Sequence, residues 1–252
     1  MIELKQLSIA YNNGGLIGLH PTDLVFRRGE FTVLLGASGA GKSTLLRAIN
    51  LLNTPSSGEV HVDGQLIRTA TALRHHRCNT AMVFQQHQLI RRQHVLRNVL
   101  AGRLGYYSSL RSLLPMSADD RRLALNCLQR VGLLDKALQR VDTLSGGQQQ
   151  RVGIARALAQ QPRVILADEP VASLDPNSAQ QIMNLLQQVC HENGITAIVS
   201  LHQLELAKAY AQRIIGLAEG RVVFDGTIEQ LNDDIIRQIY RNESSLNNET
   251  NK

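Results

Sequence analysis

Cysteine is scarce in this 252-residue chain: Cys78, Cys127 and Cys190 stand apart, with no Cys-x-x-Cys pair and no even count. No disulfide framework is expected, and the three read as reduced thiols in the cytoplasm. No stretch approaches the roughly 18 uncharged apolar residues that a membrane-spanning helix requires. The start, Met1-Ile2-Glu3-Leu4-Lys5, lacks the basic patch and apolar run of a signal peptide. Any membrane role is therefore expected to come through a partner. There is no internal repeat, no heptad run and no linker to a second domain. A basic tract is missing as well. The formal net charge is +6, but Lys and Arg are interleaved with acids, which reads as general surface charge rather than a nucleic-acid or lipid footprint.

What is present describes a globular protein: 43% of residues are hydrophobic and 19% charged, enough for one good core split between a body and a subdomain. Residues 2–9 and 24–35 read as strands flanking the turn-rich Asn12-Asn13-Gly14-Gly15. The stretch 44–49 has helical spacing with one buried face, Val60-His61-Val62 before Asp63-Gly64 signals a hairpin, and 81–84 is a short apolar strand. From about 86 to 159 the pattern turns helical, with breaks near Gly105 and Pro115. Strands return at 163–167, 195–200, 213–218 and 221–224. Alternation of this kind predicts a largely parallel sheet covered by helices. Residues 241–252 are polar and aperiodic, and a disordered tail is expected there.

Gly36-Ala37-Ser38-Gly39-Ala40-Gly41-Lys42-Ser43 matches GxxxxGK[ST] in full, between a strand and a helix. The glycines let the backbone curl so that N–H groups point at phosphate oxygens, and the helix adds its positive end. Lys42 is expected to reach the β- and γ-phosphates, and Ser43 to offer its hydroxyl to Mg²⁺. A second signal is the apolar strand 164–167 ending in Asp168 and Glu169, at the sheet edge where open α/β sheets bind ligands. Asp168 suits Mg²⁺ held through a water, and Glu169 is placed to polarise the water that attacks the γ-phosphate. Alone, two acids at a strand end are better explained by solvation; the phosphate loop gives them meaning. Leu144-Ser145-Gly146-Gly147-Gln148 then opens a helix running to Leu158, a second helix start suited to an anion. Two anion sites per chain point to head-to-tail pairing of two copies around two ATPs.

The order of these motifs resembles the ATP-binding-cassette (ABC) family over about residues 1–240. The resemblance implies an α/β P-loop ATPase with a mainly parallel sheet core, N-terminal antiparallel strands and a helical subdomain inserted at about 86–159. It implies that Tyr11 stacks on adenine, with a purely structural Tyr at a strand end as the lesser reading. It assigns the nucleotide to Gly36, Ala37, Ser38, Gly39, Ala40, Gly41, Lys42, Ser43 and Thr44. Catalysis falls to Glu169, His202 and Gln85, and Mg²⁺ to Ser43, Gln85 and Asp168. Ser145, Gly146, Gly147, Gln148 and Asp175 would reach the ATP held by a second copy. Arg74-His75-His76-Arg77-Cys78 reads as a solvated turn, since adjacent histidines point apart. Arg91, Arg92, Arg97 and Arg103 read equally as solvated surface or as a lipid or partner contact.

Within that family, Asn98 to Gly105, Arg111-Ser112-Leu113, Leu201-His202-Gln203, Ile214-Ile215-Gly216-Leu217 and Val223-Phe224-Asp225-Gly226 resemble the ATPase subunits of bacterial phosphonate importers; phosphite importers are very similar. Ending soon after Ile239-Tyr240, the sequence is expected to lack the C-terminal regulatory domain of sugar or methionine importers. The partners so implied are a second copy, a two-fold integral-membrane permease docked near 85–97 and, indirectly, an extracytoplasmic substrate-binding protein. Nucleic acid is not among them. The place implied is the cytoplasmic face of the inner membrane. Two rivals share the chemistry: an exporter or lipoprotein-releasing subunit, and a soluble ABC ATPase.

Overall fold

The computed structural model describes residues 1–11, 15–85, 88–108, 111 and 115–240. In chain order its elements are β1 (Ile2–Tyr11), β2 (Leu16–Phe26), β3 (Phe31–Leu35), α1 (Lys42–Ile49), β4 (Ser57–Val62), β5 (Gln65–Leu66), α2 (Ala70–Asn79) and β6 (Thr80–Val83). There follow α3 (Val95–Leu100), α4 (Ala118–Arg130), α5 (Gly146–Ala159), β7 (Val164–Asp168), α6 (Pro176–Glu192), β8 (Thr196–Leu201), α7 (Leu204–Tyr210), β9 (Arg213–Ala218), β10 (Arg221–Gly226) and α8 (Asp233–Ile239). The chain forms two compact units, one of Met1–Leu73 with the chain from Thr196 onward, the other of Arg74–Ile195. The expected turn at 12–14, the cue residues Ser112 and Leu113, and the tail 241–252 lie outside the described residues.

In the first unit β2, β1, β4 and β5 make an antiparallel sheet in that order. Beside it β3 lies between β8 and β9, parallel to both, and β9 turns back into antiparallel β10. Every residue of β3 is buried, with Val33, Leu34 and Leu35 at 0% exposure, as a central strand covered on both faces requires. The single strand expected over 24–35 is thus corrected to two. The break falls at Gly29, whose φ of +71° ends β2 and lets β3 begin in another sheet. The first half of β2 escapes sequence reading because Gly18, His20 and Pro21 dilute its apolar pattern. Pro21 is tolerated there because β2 is an edge strand.

In the second unit β6 and β7 pair in parallel, from Thr80 opposite Val164 to Val83 opposite Ala167. Helices α3, α4 and α5 pack on one another, and α5 also touches β6 and α6. Two readings change here. The segment at 74–78 is helical, within α2, and His76 is buried at 3% exposure beside Thr80. Arg103 is not a solvated cation either. It donates to Asp120 at 2.8 Å and lies 4.1 Å over the ring of Tyr106.

Asp120, 5% exposed, also accepts from the hydroxyls of Tyr107 and Ser117. Burial pushes its pKa up, but the hydrogen bonds from Tyr107, Ser117 and Arg103 outweigh burial and hold the carboxyl below its ordinary range. A depressed folded-state pKa stabilises fully above the unfolded value of about 3.9 and fades as pH falls below it. Asp120→Ala is therefore expected to cost about 3 kcal/mol at neutral pH, because it strands a half-buried guanidinium. Urea unfolding at neutral pH and in acid should show the gap from wild type narrowing in acid. A constant gap would mean that the carboxylate charge contributes nothing.

No helix among the described residues is long and apolar enough to cross a membrane.

Candidate functional site

The phosphate loop occupies the connection from β3 to α1, in the first unit. Gly36 has no room for a side chain: a Cβ there would sit 2.5 Å from the carbonyl oxygen of Leu217. Gly41, the N-cap of α1, has φ +102° and would bring a Cβ within 2.9 Å of the oxygen of Gly18. No side chain caps α1, so the first-turn N–H groups of this helix remain directed into the loop. The loop is braced from the β9–β10 turn, where the N–H of Gly220 donates to Ala40 O at 3.0 Å and Gly220 O accepts from His20 N–H at 2.8 Å. Lys42 is 3% exposed, and its ammonium donates to the oxygens of Gly36 at 2.8 Å and Ala37 at 3.0 Å. The charge is thus held over the concave side of the loop by neutral carbonyls, which an anion can replace. Ser38 and Gly39 are exposed and line a cleft of about 540 Å³ with Glu219, Arg221 and Gln238.

Tyr11 joins this group. Its ring lies on the backbone of Gly18, where a Cβ would meet Tyr11 Cε2 at 2.5 Å. Its hydroxyl accepts from Asn53 at 2.9 Å and stands 3.3 Å from the Thr44 hydroxyl. With 36% of it exposed, a stacking face remains beside the first turn of α1. His202 follows β8 and is exposed, and its carbonyl accepts from the Tyr240 hydroxyl at 2.7 Å. That bond, which ties the turn at His202 to the end of α8, has no signal in the sequence. The brace formed by Gly18, Leu217 and Gly220 around the loop was also missed, and the Glu219-Gly220 turn is the one local sign of it.

In the second unit β7 delivers Asp168, 4% exposed, and Glu169, half-buried. Glu169 has φ +44°, a left-handed backbone that costs a non-glycine residue about 1–2 kcal/mol. Strain of this sort persists where a side chain must point in one direction. Gln85 lies exposed just after β6. Ser145 caps α5, and a reciprocal bond from its own N–H to Gln148 Oε1, at 3.1 Å, completes a capping box. The Ser-x-x-Gln spacing signals that box in advance. A Cβ added at Gly146 would stand 3.7 Å from Leu174 Cδ2, and one at Gly147 3.8 Å from Ser178 Cβ, so the start of α5 faces the 174–178 stretch without crowding. Asp175 caps α6 by accepting from Ser178 N–H at 3.0 Å, and hydrogen bonds there hold its pKa below the ordinary value. Lys136, Ser145, Gly147, Gln148, Arg151 and Ser178 face a cleft of about 320 Å³. Asp135 lines the same cleft and pairs with Lys136 at 3.6 Å.

Each unit thus carries its own part of the expected set: the loop 36–43, Tyr11, Thr44 and His202 in one, Gln85, Ser145–Gln148, Asp168, Glu169 and Asp175 in the other.

The chain is similar to known proteins over nearly its whole length. A family described as ABC transporter matches residues 19–172. The chain is 57% identical to the phosphite import ATP-binding protein PxtA of Stutzerimonas stutzeri, over 97% of this chain and 89% of that one. It is 56% identical to the phosphonates import ATP-binding protein PhnC 3 of a Nostoc species, over 98% and 94%. Among solved structures, the cassette MJ0796, in a dimeric post-hydrolysis state with ADP and Pi, is 36% identical over 92% of this chain and all of that one, with a TM-score of 0.80. By these matches this chain belongs to the ABC transporter family and is one of its ATP-hydrolysing cassettes.

Proposed function

We propose that this chain energises a bacterial importer of phosphonates or related reduced-phosphorus anions such as phosphite. The observation that carries the reading is the identity above 55% to phosphite and phosphonates import ATP-binding proteins, over nearly the whole of this chain. Two copies sit at the cytoplasmic face of the membrane beneath a permease, which docks near 85–97 and receives substrate from an extracytoplasmic binding protein.

In this reading ATP lies on Gly36–Ser43 with Tyr11 against its adenine. The loop N–H groups and Lys42 bind the phosphates, and Lys42 exchanges its carbonyl partners for phosphate oxygens. Ser43, Asp168 and Gln85 offer only oxygen donors, the set that suits Mg²⁺ bound together with a nucleotide. Mg²⁺, when bound, neutralises phosphate charge as the bond breaks. Ser145, Gly146, Gly147 and Gln148 of one copy close over the γ-phosphate held by the other, with Asp175 at the seam. Glu169 takes a proton from the attacking water, Gln85 and His202 orient that water and the γ-phosphate, and phosphate leaves with the pair of electrons of the broken bond passing to ADP. Closure turns the permease outward, and hydrolysis resets it.

Ser145→Arg is expected to leave ATP binding intact and to abolish turnover, because its bulk and charge fall at the contact between copies. The lost cap itself costs only about 1 kcal/mol. ATPase assays beside nucleotide titration check this, and normal turnover would remove the case for a shared site. For the function as a whole, the chain is reconstituted with its co-encoded permease and a panel of loaded binding proteins. Stimulation by a phosphonate- or phosphite-loaded binding protein supports the reading. ATPase that ignores them all defeats it.

A further inference from the structure

The segment 88–97 is fastened to the segment leading into Ser145. Arg156, three turns along α5 from Ser145, donates from Nη1 to the carbonyl of Gln88 at 2.7 Å. Gln88 itself has φ +44°, a conformation that aims its carbonyl at a fixed place at some cost in strain. Two residues on, the N–H of Ile90 donates to Asn98 Oδ1 at 2.8 Å, and Asn98 Nδ2 donates back to Ile90 O at 3.2 Å. Asn98 is 1% exposed, so its amide is committed to this clamp.

From there the chain is zipped to 137–142 by backbone bonds: Asp142 N–H to Arg91 O at 3.0 Å, Val141 N–H to Gln93 O at 3.1 Å, Val95 N–H to Gln139 O at 2.9 Å and Leu96 N–H to Ala137 O at 2.9 Å. His94 and Arg140 form an isolated antiparallel bridge within the same ribbon. Leu144 and the cap of α5 follow directly. Behind α3, Gly102 packs so closely on α5 that a Cβ would fall 2.2 Å from Arg156 O, which leaves little slack between the two helices. The outer side of this ribbon is open, with Ile90 52% exposed and Arg91, Arg92 and Arg97 exposed.

We propose that Arg156 and Asn98 are positioning residues, Arg156 joining the 88–97 segment to α5 through Gln88 and Asn98 holding that segment rigid through Ile90, so that a displacement of the segment by the permease is delivered to Ser145. The inference rests on the importer reading for the source of the displacement, but the mechanical link itself lies within this chain. A side chain that only held the fold together would, when removed, weaken basal and stimulated turnover alike. A transmitting one affects the stimulated part alone.

The full importer with a loaded binding protein is assayed as wild type, Arg156→Met, Arg156→Lys and Asn98→Asp. The Met and Asp variants are expected to lose stimulated kcat by about tenfold while KM for ATP and unstimulated turnover hold, and Lys, which can still donate to Gln88 O, to recover most of the loss. Deuterium exchange at Leu144–Gln148 in the isolated full chain reads the link without a permease, and is expected to quicken by about tenfold in the Met and Asp variants. Wild-type exchange at 144–148 in both variants, or a stimulation equal to wild type in both, overturns the inference. A wild-type importer that no binding protein stimulates overturns the importer reading instead, and the exchange result then decides the link alone.

Discussion

Glu169→Gln is expected to bind ATP as wild type does and to lose turnover by at least about a hundredfold, the low end of what a positioned general base contributes. Glutamine has the same shape as glutamate, so the left-handed backbone at φ +44° and the half-buried setting are kept. What is lost is the ability to accept a proton. If the residue only closed the strand end, the amide would serve as well and turnover would survive. With hydrolysis blocked and binding intact, the closed pair has no way to reset, so ATP should shift the variant to a stable dimer in sedimentation runs while ADP does not. Phosphate release and sedimentation together check this. Wild-type phosphate release in the variant would remove Glu169 from the mechanism. A monomer in saturating ATP would keep its role and remove the trapped pair.

Lys42→Ala is expected to lower ATP affinity by on the order of a hundredfold. Its ammonium already sits 3% exposed against the oxygens of Gly36 and Ala37, so little ordering remains to be done when phosphate replaces them. Hydrogen bonds to a charged group contribute about 1.5–3 kcal/mol each, and two of them account for a hundredfold at about 1.4 kcal/mol per decade. Alanine also leaves the two loop carbonyls without this donor, which loosens the loop before any nucleotide arrives. Calorimetric titration with ATP is the measurement. A loss below about threefold would mean that the loop N–H groups carry the binding and the lysine does not.

Legibility of the chain varied with how local the cause was. The 36–43 loop reads at once because its geometry depends on residues within the motif, on the strand before it and on the helix after it. The β7 strand end and the Ser145 cap are equally local. The division of 24–35 had a local sign in the polar Arg27-Arg28-Gly29-Glu30, and the turn there, with Gly29 at φ +71°, separates two strands that join different sheets. Arg103 looked like one more surface cation. Its pairing with Asp120 and stacking on Tyr106 depend on how α4 packs behind the 101–106 turn.

From the sequence alone came the family, the phosphate loop, the acidic strand end and the expectation of paired copies, since each rests on backbone chemistry spelled out over a few adjacent residues. Tertiary structure alone decided that Gly18 and Gly220 brace the loop, that Tyr240 holds the carbonyl of His202, that Arg156 of α5 fastens Gln88, and that Asn98 clamps Ile90. These partners are separated in sequence by 8 residues at the least and by 68 for Arg156 and Gln88. A hydrogen bond is set by distance and angle in space, and no spacing rule carries that across a folded chain.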